Sequence, residues 1–301
     1  MHPFLVRPLR PVDAPEVAEF FAGAHRADPE VQFVPVAAWR AFADYPANNR
    51  ARDFRLAEVR GRIVGILTST LLAGTRHGRR RRHFRIIVHP EFRGRGIGAA
   101  LLAEAESQRL PPPRPTLQTL CPGTWSLALR FLRRRGFREV HRDLEMERPP
   151  RRVPAPDPAP GLLVRPFGRP GDAAAWSRLH AEGYRDDFHF EPLTVPAVRA
   201  EVGTSLNLVL VAEEAGRPVG IVLAREHGRS GSTIQSLLVS RRRRRRGAGR
   251  ALLQAALAGM AGRGRKPCTL GVDEDNAAAI ALYRSEGFRP AREDVTLWRA
   301  R

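Results

Sequence analysis

The chain has 301 residues, of which 43% are hydrophobic and 27% are charged. This balance excludes a disordered, collagen-like or coiled-coil chain. The length favours two domains, because single cores seldom grow beyond ~250–300 residues. The 51 basic residues exceed the 31 acidic ones by 20, and such an excess indicates an anionic partner.

The low number of cysteines and the lack of long apolar segments narrow the class of protein further. Cys121 and Cys268 are the only cysteines, so we expect neither a disulfide framework nor a metal site and place both side chains in the core. No apolar run reaches the ~18–20 residues of a membrane span, and the start of the chain lacks the apolar segment of a signal peptide. We therefore expect a cytoplasmic protein that does not contact a membrane.

The chain contains an internal repeat. Residues 5–8 recur at 163–166, residues 61–66 at 216–221 and residues 136–137 at 287–288, with offsets of 158, 155 and 151. The shared order predicts a duplicated module. We place an N-terminal module at 1–148 and a C-terminal module at 161–301. Residues 149–160 include six prolines, which remove backbone donors and disfavour helix, so we interpret them as a linker.

Both halves predict the same succession of elements. The first half reads as strand 4–7, helix 13–26, strands 54–60, 62–71 and 83–88, helix 98–109, strand 115–120 and helix 124–135. The second half reads as strand 162–165, helix 172–183, strands 207–213, 217–225 and 233–239, helix 249–261, strand 267–272 and helix 276–286. This alternation predicts a mixed α/β fold in each half.

In each half, one strand runs through a basic, glycine-rich turn into an Ala/Leu-rich helix. Both turns fit the pattern R-x-x-G-x-G, at residues 93–98 and 244–249. Glycines allow close approach of a phosphate, and the free N–H groups and dipole of a helix start favour an anion by about 0.3–1 kcal/mol. One such turn is equally an ordinary connection, but two aligned copies favour a diphosphate site. Neither a complete G-x-G-x-x-G nor a Walker pattern is present, so we expect no nicotinamide or nucleoside triphosphate site.

At these turns the sequence resembles the GNAT superfamily of acyl-CoA-dependent N-acyltransferases. The resemblance covers almost the whole chain and implies two tandem GNAT acyltransferase folds, each a twisted, mostly antiparallel sheet flanked by helices. It implies acetyl-CoA as the cosubstrate, with its pyrophosphate on the loops and its pantetheine arm along the strand ends. The residues implied are Ile87, Val88, Arg93, Gly94, Arg95, Gly96, Ile97 and Gly98, and in the second half Leu238, Val239, Arg244, Arg245, Arg246, Gly247, Ala248 and Gly249.

Two arginine runs require separate interpretation. Six consecutive arginines at 241–246 are typical of a solvated face, a nucleic-acid patch or a localisation signal. Their position directly before Gly247 favours binding of coenzyme A phosphates, and we regard nucleic acid as an unlikely partner. The run at 79–82 has no such alignment, and we expect it in an exposed hairpin.

The last predicted helix resembles the family's N-x-x-A-x-x-L-Y-x-x-x-G-F segment at residues 276–288. Asn276 and Tyr283 are seven residues apart, which places them on one helical face. The resemblance implies that Asn276 helps to hold the cofactor and that Tyr283 is the general acid. A phenol with a pKa of ~10 can protonate a leaving thiolate. A core tyrosine is the alternative interpretation.

The first half lacks both groups. At the offset of 151, Asn276 and Tyr283 correspond to Trp125 and Leu132. We therefore expect the N-terminal module to be degenerate: it retains the loop that binds coenzyme A but has lost turnover. The resemblance to tandem members of the family implies that catalysis is confined to the C-terminal module.

The general base is less clearly indicated. The strand before the second loop contains Thr233, Gln235 and Ser236 where many GNAT enzymes have a glutamate, so a bound water is as plausible a base as a side chain. Glu226, His227 and Asp273 are candidates by location alone. The segment 184–191 mixes acidic and aromatic residues that would suit a cationic amine, or would equally form a packed connection.

Taken together, these patterns predict an N-acetyltransferase that moves an acetyl group from acetyl-CoA to a primary amine by direct attack, without a metal. The acceptor is expected to be a small molecule or a peptide. The alternative is a non-catalytic coenzyme A-sensing or nucleic-acid-binding module, favoured by the net charge and the degenerate first half.

Overall fold

The computed structural model describes residues 4–31, 34–44, 48–76, 79–108, 114–151, 160–184, 193–202, 207–227, 231–261 and 267–300. The chain divides into two compact units. Unit 1 comprises Met1–Leu120, Phe131–Glu139 and Leu297–Arg301, and unit 2 comprises Cys121–Arg130 and Val140–Thr296. Among the described residues, no helix combines the length and the apolar character that crossing a membrane requires.

The first half of the chain contains six strands and five helices within the described ranges. They are β1 (Leu5–Pro8), α1 (Ala14–Ala27), α2 (Val36–Ala43), α3 (Arg50–Asp53), β2 (Phe54–Val59), β3 (Arg62–Arg76), β4 (Arg79–Val88), α4 (Ile97–Ser107), β5 (Thr116–Pro122), α5 (Ser126–Arg133) and β6 (Arg138–Arg148).

Within the described residues, the second half repeats this order without a counterpart of α3. Its elements are β7 (Leu162–Pro166), α6 (Asp172–Tyr184), α7 (Val195–Val202), β8 (Asn207–Glu214), β9 (Arg217–Glu226), β10 (Ser232–Val239), α8 (Ala248–Ala261), β11 (Cys268–Asp273), α9 (Ala277–Ser285) and β12 (Arg289–Arg299). The predicted mixed α/β class is confirmed. The sequence prediction lacked α2, α3, α7, β6 and β12, and the two strands were missed because charged residues dominate them.

Each unit contains a mostly antiparallel sheet. In unit 1 the strand order is β1-β2-β3-β4-β5, and only β4 and β5 run parallel. In unit 2 the order is β12-β6-β11-β10-β9-β8-β7, with β10 and β11 parallel. Strand β6 thus completes the sheet of unit 2, although it precedes residues 149–160 in the chain. It pairs with β11 over six residues, from Cys268 opposite Arg148 to Asp273 opposite Asp143.

Helices cover both faces of the unit 2 sheet. Because strand side chains alternate between faces, neighbouring apolar residues of β9 and β10 enter two different clusters. One cluster joins α8 and α9 to the sheet through Leu252, Leu253, Tyr283, Ile234 and Leu270. The other joins α6 and α7 to the opposite face through Trp176, Leu179, Val198, Ile221 and Leu238. The two cysteines are buried, as expected.

A glycine in each repeated strand allows the long helix to pack closely. A Cβ at Gly220 would lie 2.8 Å from the Leu238 carbonyl oxygen and 2.9 Å from the Leu252 side chain. A Cβ at Gly65 would lie 3.0 Å from Ile97 of α4 and 3.2 Å from Leu101. The separations at Gly220 are shorter than side-chain packing permits, and those at Gly65 would require the helix side chains to shift by a few tenths of an ångström. Glycine at this position therefore suits the close packing of the helix in both halves.

The paired strands β10 and β11 separate before they end. Their pairing runs from Ser232 and Cys268 to Ile234 and Leu270. A bulge between Ile234 and Ser236 then shifts the register of β10 against β9. Beyond it, β10 stays with β9 as far as Val239, whereas β11 stays with β6 as far as Asp273. A gap therefore opens between the last residues of the two strands.

The arginine run at 79–82 pairs antiparallel with the end of β3, as expected of a hairpin, but its last two side chains are not exposed as the sequence predicted. It lies in β4, and the Arg81 and Arg82 side chains are each only 1% exposed. Arg82 donates to the Asp53 carboxylate at 2.8 Å and to the Ser69 hydroxyl at 2.8 Å. Asp53 is fully buried, and a buried carboxylate requires a cation as its partner. The ion pair therefore keeps the Arg82 guanidinium in the interior.

An Arg–Asp–Glu ion-pair triad occurs at the same place in both units. In unit 2, Arg165 of β7 binds Asp172 through two nitrogens at 2.9 Å each and Glu213 of β8 at 2.7 Å. In unit 1, Arg7 binds Asp13 and Glu58 in the same way. Each triad connects a first strand, a helix start and the neighbouring strand, which are the elements that the internal repeat identified.

The charge on Asp172 is strongly stabilised. The Arg165 guanidinium and the backbone N–H groups of Gly168 and Arg169 lower the pKa of Asp172 from 3.8 to about 2, against the opposing effect of burial. A carboxylate whose pKa is lower in the folded than in the unfolded chain stabilises the fold above its unfolded pKa. That stabilisation, about 2 kcal/mol, is lost as the pH falls from about 4 to about 2.

We predict that Asp172→Asn lowers the free energy of unfolding at pH 7 by about 3–5 kcal/mol, because it leaves Arg165 without its principal partner. Urea unfolding followed from pH 6 to pH 2 should also show a weaker loss of stability below pH 4 than in the parent. Asp275→Asn, at an exposed position, is the matched control and should change neither quantity. An unchanged acid dependence in Asp172→Asn would contradict this assignment.

Candidate functional site

The two glycine-rich loops have the same local structure. Strands β4 and β10 each end in a single 3-10 turn, at Pro90–Phe92 and Arg241–Arg243. The next arginine then turns back towards its strand. The Arg93 Nε lies 3.3 Å from the Val88 carbonyl oxygen, and the Arg244 Nε lies 3.3 Å from that of Val239. The loops therefore position their first arginine identically.

The backbone of both loops is left-handed at the same two positions. Gly94 and Gly96 have φ angles of 77° and 85°, and Arg245 and Gly247 have φ angles of 64° and 84°. A residue with a Cβ in this region costs roughly 1–2 kcal/mol, so Arg245 maintains a strained conformation that Gly94 adopts freely. The helices α4 and α8 begin directly afterwards, and their first amides have no carbonyl partner within the helix.

The loops differ in how their arginines are paired. Arg93 donates to the Asp28 carboxylate at the end of α1, at 2.7 Å. Arg244 instead approaches the Gly183 carbonyl oxygen at 3.5 Å, and no described carboxylate forms an ion pair with Arg244, Arg245 or Arg246. The second loop thus presents more uncompensated positive charge than the first.

Two of the predicted loop residues point away from the loop. The side chains of Ile97 and Ala248 are 1% and 3% exposed and belong to the packed core. They can contribute only backbone groups to a ligand. Among the predicted strand residues, Ile87 and Leu238 are also buried, so a bound chain would likewise meet their backbone.

Helix α9 carries the predicted pair Asn276 and Tyr283. Asn276 is exposed, and its Oδ1 accepts the Ala279 N–H at 3.1 Å as the cap of the helix. Tyr283 is 7% exposed, and its ring packs at 5.9 Å from Phe288. Burial and, secondarily, the neighbouring Tyr184 phenol raise the pKa of Tyr283. This hydroxyl is therefore protonated throughout the neutral range.

The corresponding residues of the first half differ in chemistry. Leu132 is 6% exposed and contributes only apolar surface. Trp125 lies before α5 and donates its backbone N–H to the Pro122 carbonyl oxygen at 3.0 Å. Neither residue offers a proton donor comparable to the phenol of Tyr283.

Asp273, one candidate base, is bound to a residue that the sequence did not indicate. Its carboxylate contacts the imidazole of His141 on β6, which also lies 3.3 Å from Asp143. The three side chains place ligand atoms within 4.8 Å of one another, so they could hold a cation. They come together because β6 lies beside β11 in unit 2, an arrangement that no local sequence signal predicts.

The other base candidates have different surroundings. The Nε2 atom of His227 lies 3.0 Å from the Thr233 hydroxyl, which lies 3.0 Å from the Thr269 hydroxyl. Gln235 is exposed, and the Ser236 hydroxyl is buried without a hydrogen bond to any described residue. Of the segment 184–191, residues 185–191 lie outside the described ranges. The Tyr184 ring packs at 5.1 Å from His180.

The relatives of the chain identify its family. Two family models match, one described as Acetyltransferase (GNAT) family at residues 173–288 and one as Acetyltransferase (GNAT) domain at 50–139. A mycothiol acetyltransferase of Thermobispora bispora is 32% identical over 221 residues, covering 70% of this chain and 73% of that protein. The chain belongs to the GNAT family of acetyltransferases.

Solved structures of the family have the same architecture. A GCN5-related N-acetyltransferase from Sphaerobacter thermophilus matches with a TM-score of 0.77 and 25% identity, covering 98% of this chain and 95% of the other. A tandem GNAT protein from the clavulanic acid biosynthesis pathway matches in fold, with a TM-score of 0.75, 18% identity and 99% and 98% coverage. The predictions of two tandem GNAT folds and of an acyltransferase are confirmed. Members of this family use acetyl-CoA.

Proposed function

We propose that the enzyme transfers an acetyl group from acetyl-CoA to a primary amine of a small molecule or peptide, and that the second half of the chain performs the chemistry. The observation that carries this proposal is the buried Tyr283 hydroxyl, with its raised pKa. It lies on the helix that packs against β10 and β11, the two strands that separate. The first half has Leu132 at the equivalent position.

The second loop and the strand gap fit the two ends of coenzyme A. The helix-start amides of α8, with Arg244, Arg245 and Arg246, would bind the pyrophosphate. Beyond the bulge, β10 no longer pairs with β11, so those of its backbone polar groups that face the gap need new partners. The amide groups of a pantetheine arm would supply them, and Asn276 lies at the mouth of the same gap.

The residues of this half can support direct transfer. When an amine displaces coenzyme A, the thiolate that leaves must gain a proton. Because burial raises the pKa of Tyr283, the phenol remains protonated at the pH where the amine reacts. Tyr283 shares a buried cluster with Ile234 of β10 and Leu270 of β11, so its hydroxyl would approach a thioester held in the gap from the α9 side of the sheet. The proposal requires neither a covalent enzyme intermediate nor a metal.

In the first half, we propose binding of coenzyme A without turnover. Its loop has the same left-handed positions and the same helix start as the second. The strand registers, however, place His83 where the second half has Thr233, and the adjacent Arg82 is held in a buried ion pair with Asp53. The first half thus lacks the small hydroxyl at this position as well as the phenol of Tyr283. The first loop would therefore serve as a scaffold or a sensor of coenzyme A.

The names of the relatives indicate which acceptor amine to test first. Several are named mycothiol acetyltransferase, so a mycothiol-related amine is the first acceptor to test. The decisive experiment measures thiol release from acetyl-CoA with that amine, polyamines, aminoglycosides and peptide N-termini. Release that depends on one amine class supports the proposal. Binding of coenzyme A with no release for any amine would favour the alternative, a non-catalytic coenzyme A sensor.

We predict two coenzyme A sites per chain, because both loops present the same backbone donors. Isothermal titration calorimetry should give a stoichiometry near two, falling to one in Gly96→Asp and in Gly247→Asp. Each substitution places a carboxylate against the anion and a Cβ at a φ of about 85°. A parent stoichiometry of one that survives Gly96→Asp would show that the first loop does not bind.

We also predict that Tyr283→Phe lowers kcat by ~10²- to 10⁴-fold, since it removes the proton donor and keeps the ring. The Kd of coenzyme A should change by less than about threefold. Leu132→Ala is the control for a packing defect. It should cost about 2–5 kcal/mol of stability without a matching loss of turnover per folded molecule. Full turnover in Tyr283→Phe would refute the assignment of this residue as the acid.

A further inference from the structure

We propose that Thr269, Thr233 and His227 form a proton relay that removes the proton from the acceptor amine. This inference rests on the proposed function in the second half of the chain. The three side chains are linked by two contacts of 3.0 Å, from Thr269 Oγ1 to Thr233 Oγ1 and from Thr233 Oγ1 to His227 Nε2. Together they provide the base that no single residue of the strand before the loop supplies.

The relay begins at the closed end of the strand gap. Thr233 and Thr269 are register partners in the parallel pair β10–β11, and the pairing ends one residue later, at Ile234 and Leu270. The two hydroxyls therefore lie where the strands begin to separate. A thioester that lies along the free edge of β10 would reach this point with its acyl end.

The acid and the relay approach the gap from opposite faces of the sheet. Ile234, Leu270 and Tyr283 share one buried cluster on the α8 and α9 side. Thr233 and Thr269 each precede a member of that cluster along their strands, so their side chains point to the other face. An acceptor on that face would meet the hydroxyls, while the thiolate would leave towards Tyr283.

The hydrogen-bond capacities of the side chains set the direction of the relay. A neutral imidazole can accept at one ring nitrogen only. If His227 Nε2 accepts, Thr233 donates its only proton to it and must accept from Thr269. The oxygen of Thr269 then retains a lone pair for an N–H of the incoming amine. The relay consequently runs from the gap to the imidazole.

The proton transfer balances without another reactant. The acceptor ammonium gives one proton to Thr269 Oγ1, the Thr269 proton moves to Thr233 Oγ1, and the Thr233 proton moves to His227 Nε2. The result is a neutral amine and an imidazolium. Since His227 is exposed, the imidazolium can pass its proton to water after transfer. An amine with a pKa of ~10.4 is about 0.1% neutral near pH 7.4, so this step is required for turnover.

The charged groups around the relay come from three elements, β9, α7 and β6. Arg225 of β9 is the register partner of Thr233 and is bound to Glu201 of α7 at 2.7 Å. Glu226 lies next to His227 on β9. Glu147 of β6 is the register partner of Thr269. The acidic neighbour on β6 is supplied by the first half of the chain and would attract a cationic amine to the start of the relay.

The first half lacks the relay altogether. The strand registers place His83 and Gln118 where the second half has Thr233 and Thr269. Gln118 accepts from the Trp298 indole N–H at 3.0 Å. Neither residue carries a hydroxyl, so the pair of hydroxyls that starts the relay is missing. The relay and the acid are thus absent from the same half.

The test compares Thr233→Val, which keeps the shape and removes the hydroxyl, with Thr233→Ser, which keeps the hydroxyl. With acetyl-CoA and the amine found by thiol release, Thr233→Val should lower kcat/KM by ~10²-fold or more, and Thr233→Ser by less than about fivefold. Coenzyme A affinity and the unfolding temperature should match the parent in both. Equal activity of the valine and serine variants would overturn the relay.

His227→Gln provides the second variant, and the exposed position of His227 allows this change without loss of core packing. Activity should fall at least ~10-fold at pH 7.5, because the relay loses its terminal proton acceptor. Unchanged activity in His227→Gln would exclude His227. If Tyr283→Phe lowers activity but neither Thr233→Val nor His227→Gln does, the relay is refuted and the proposed function stands.

A measurement without an acceptor tests the direction of the relay. In ¹⁵N spectra of histidine-labelled enzyme, with His227→Gln used to assign the signal, neutral His227 should carry its proton on Nδ1. The Thr233→Val variant should shift the Nε2 resonance, because the hydrogen bond from the hydroxyl is lost. A proton on Nε2 in the parent would mean that His227 donates to Thr233, and the relay would then be refuted.

Discussion

The separation of β10 from β11 is the constraint on which the rest of unit 2 depends. Two parallel strands that stop pairing after Leu270 leave backbone donors and acceptors facing a gap, and such groups are costly unless another molecule satisfies them. The bulge after Ile234 keeps β10 paired with β9, and β6 keeps β11 in a sheet. Regular structure on both sides thus holds the gap open. The second glycine-rich loop, α9, Thr233 and Thr269 lie along its edges.

The two halves share this framework and differ in a few side chains. Both have the ion-pair triad, the close glycine under the helix and the left-handed loop. What differs is the chemistry at the gap: Tyr283, Thr233 and Thr269 in one half are replaced by Leu132, His83 and Gln118 in the other. The first half also buries the ion pair of Arg82 and Asp53 directly beside this position.

The repeated features were predictable because they are local. The loops, the long helices and the N-x-x-A-x-x-L-Y segment depend on residues close together in the chain, and the sequence identified them at their observed places. The partners of distant residues were not predictable. His141 meets Asp273 only because β6 joins the second sheet, and Arg82 is buried only because Asp53 lies opposite. Sequence periodicity specifies which way a strand faces but not which strand lies beside it.

Each unit combines segments that lie far apart in the chain, so the order of synthesis affects how the chain folds. Unit 2 uses a strand, β6, that is synthesised before residues 149–160. This strand must wait for β11, some 120 residues later, with its edge unpaired. Removing the first half of the chain would also remove β6, which lies between β12 and β11 in the unit that carries Tyr283. The two halves are therefore expected to fold, and to be inherited, together.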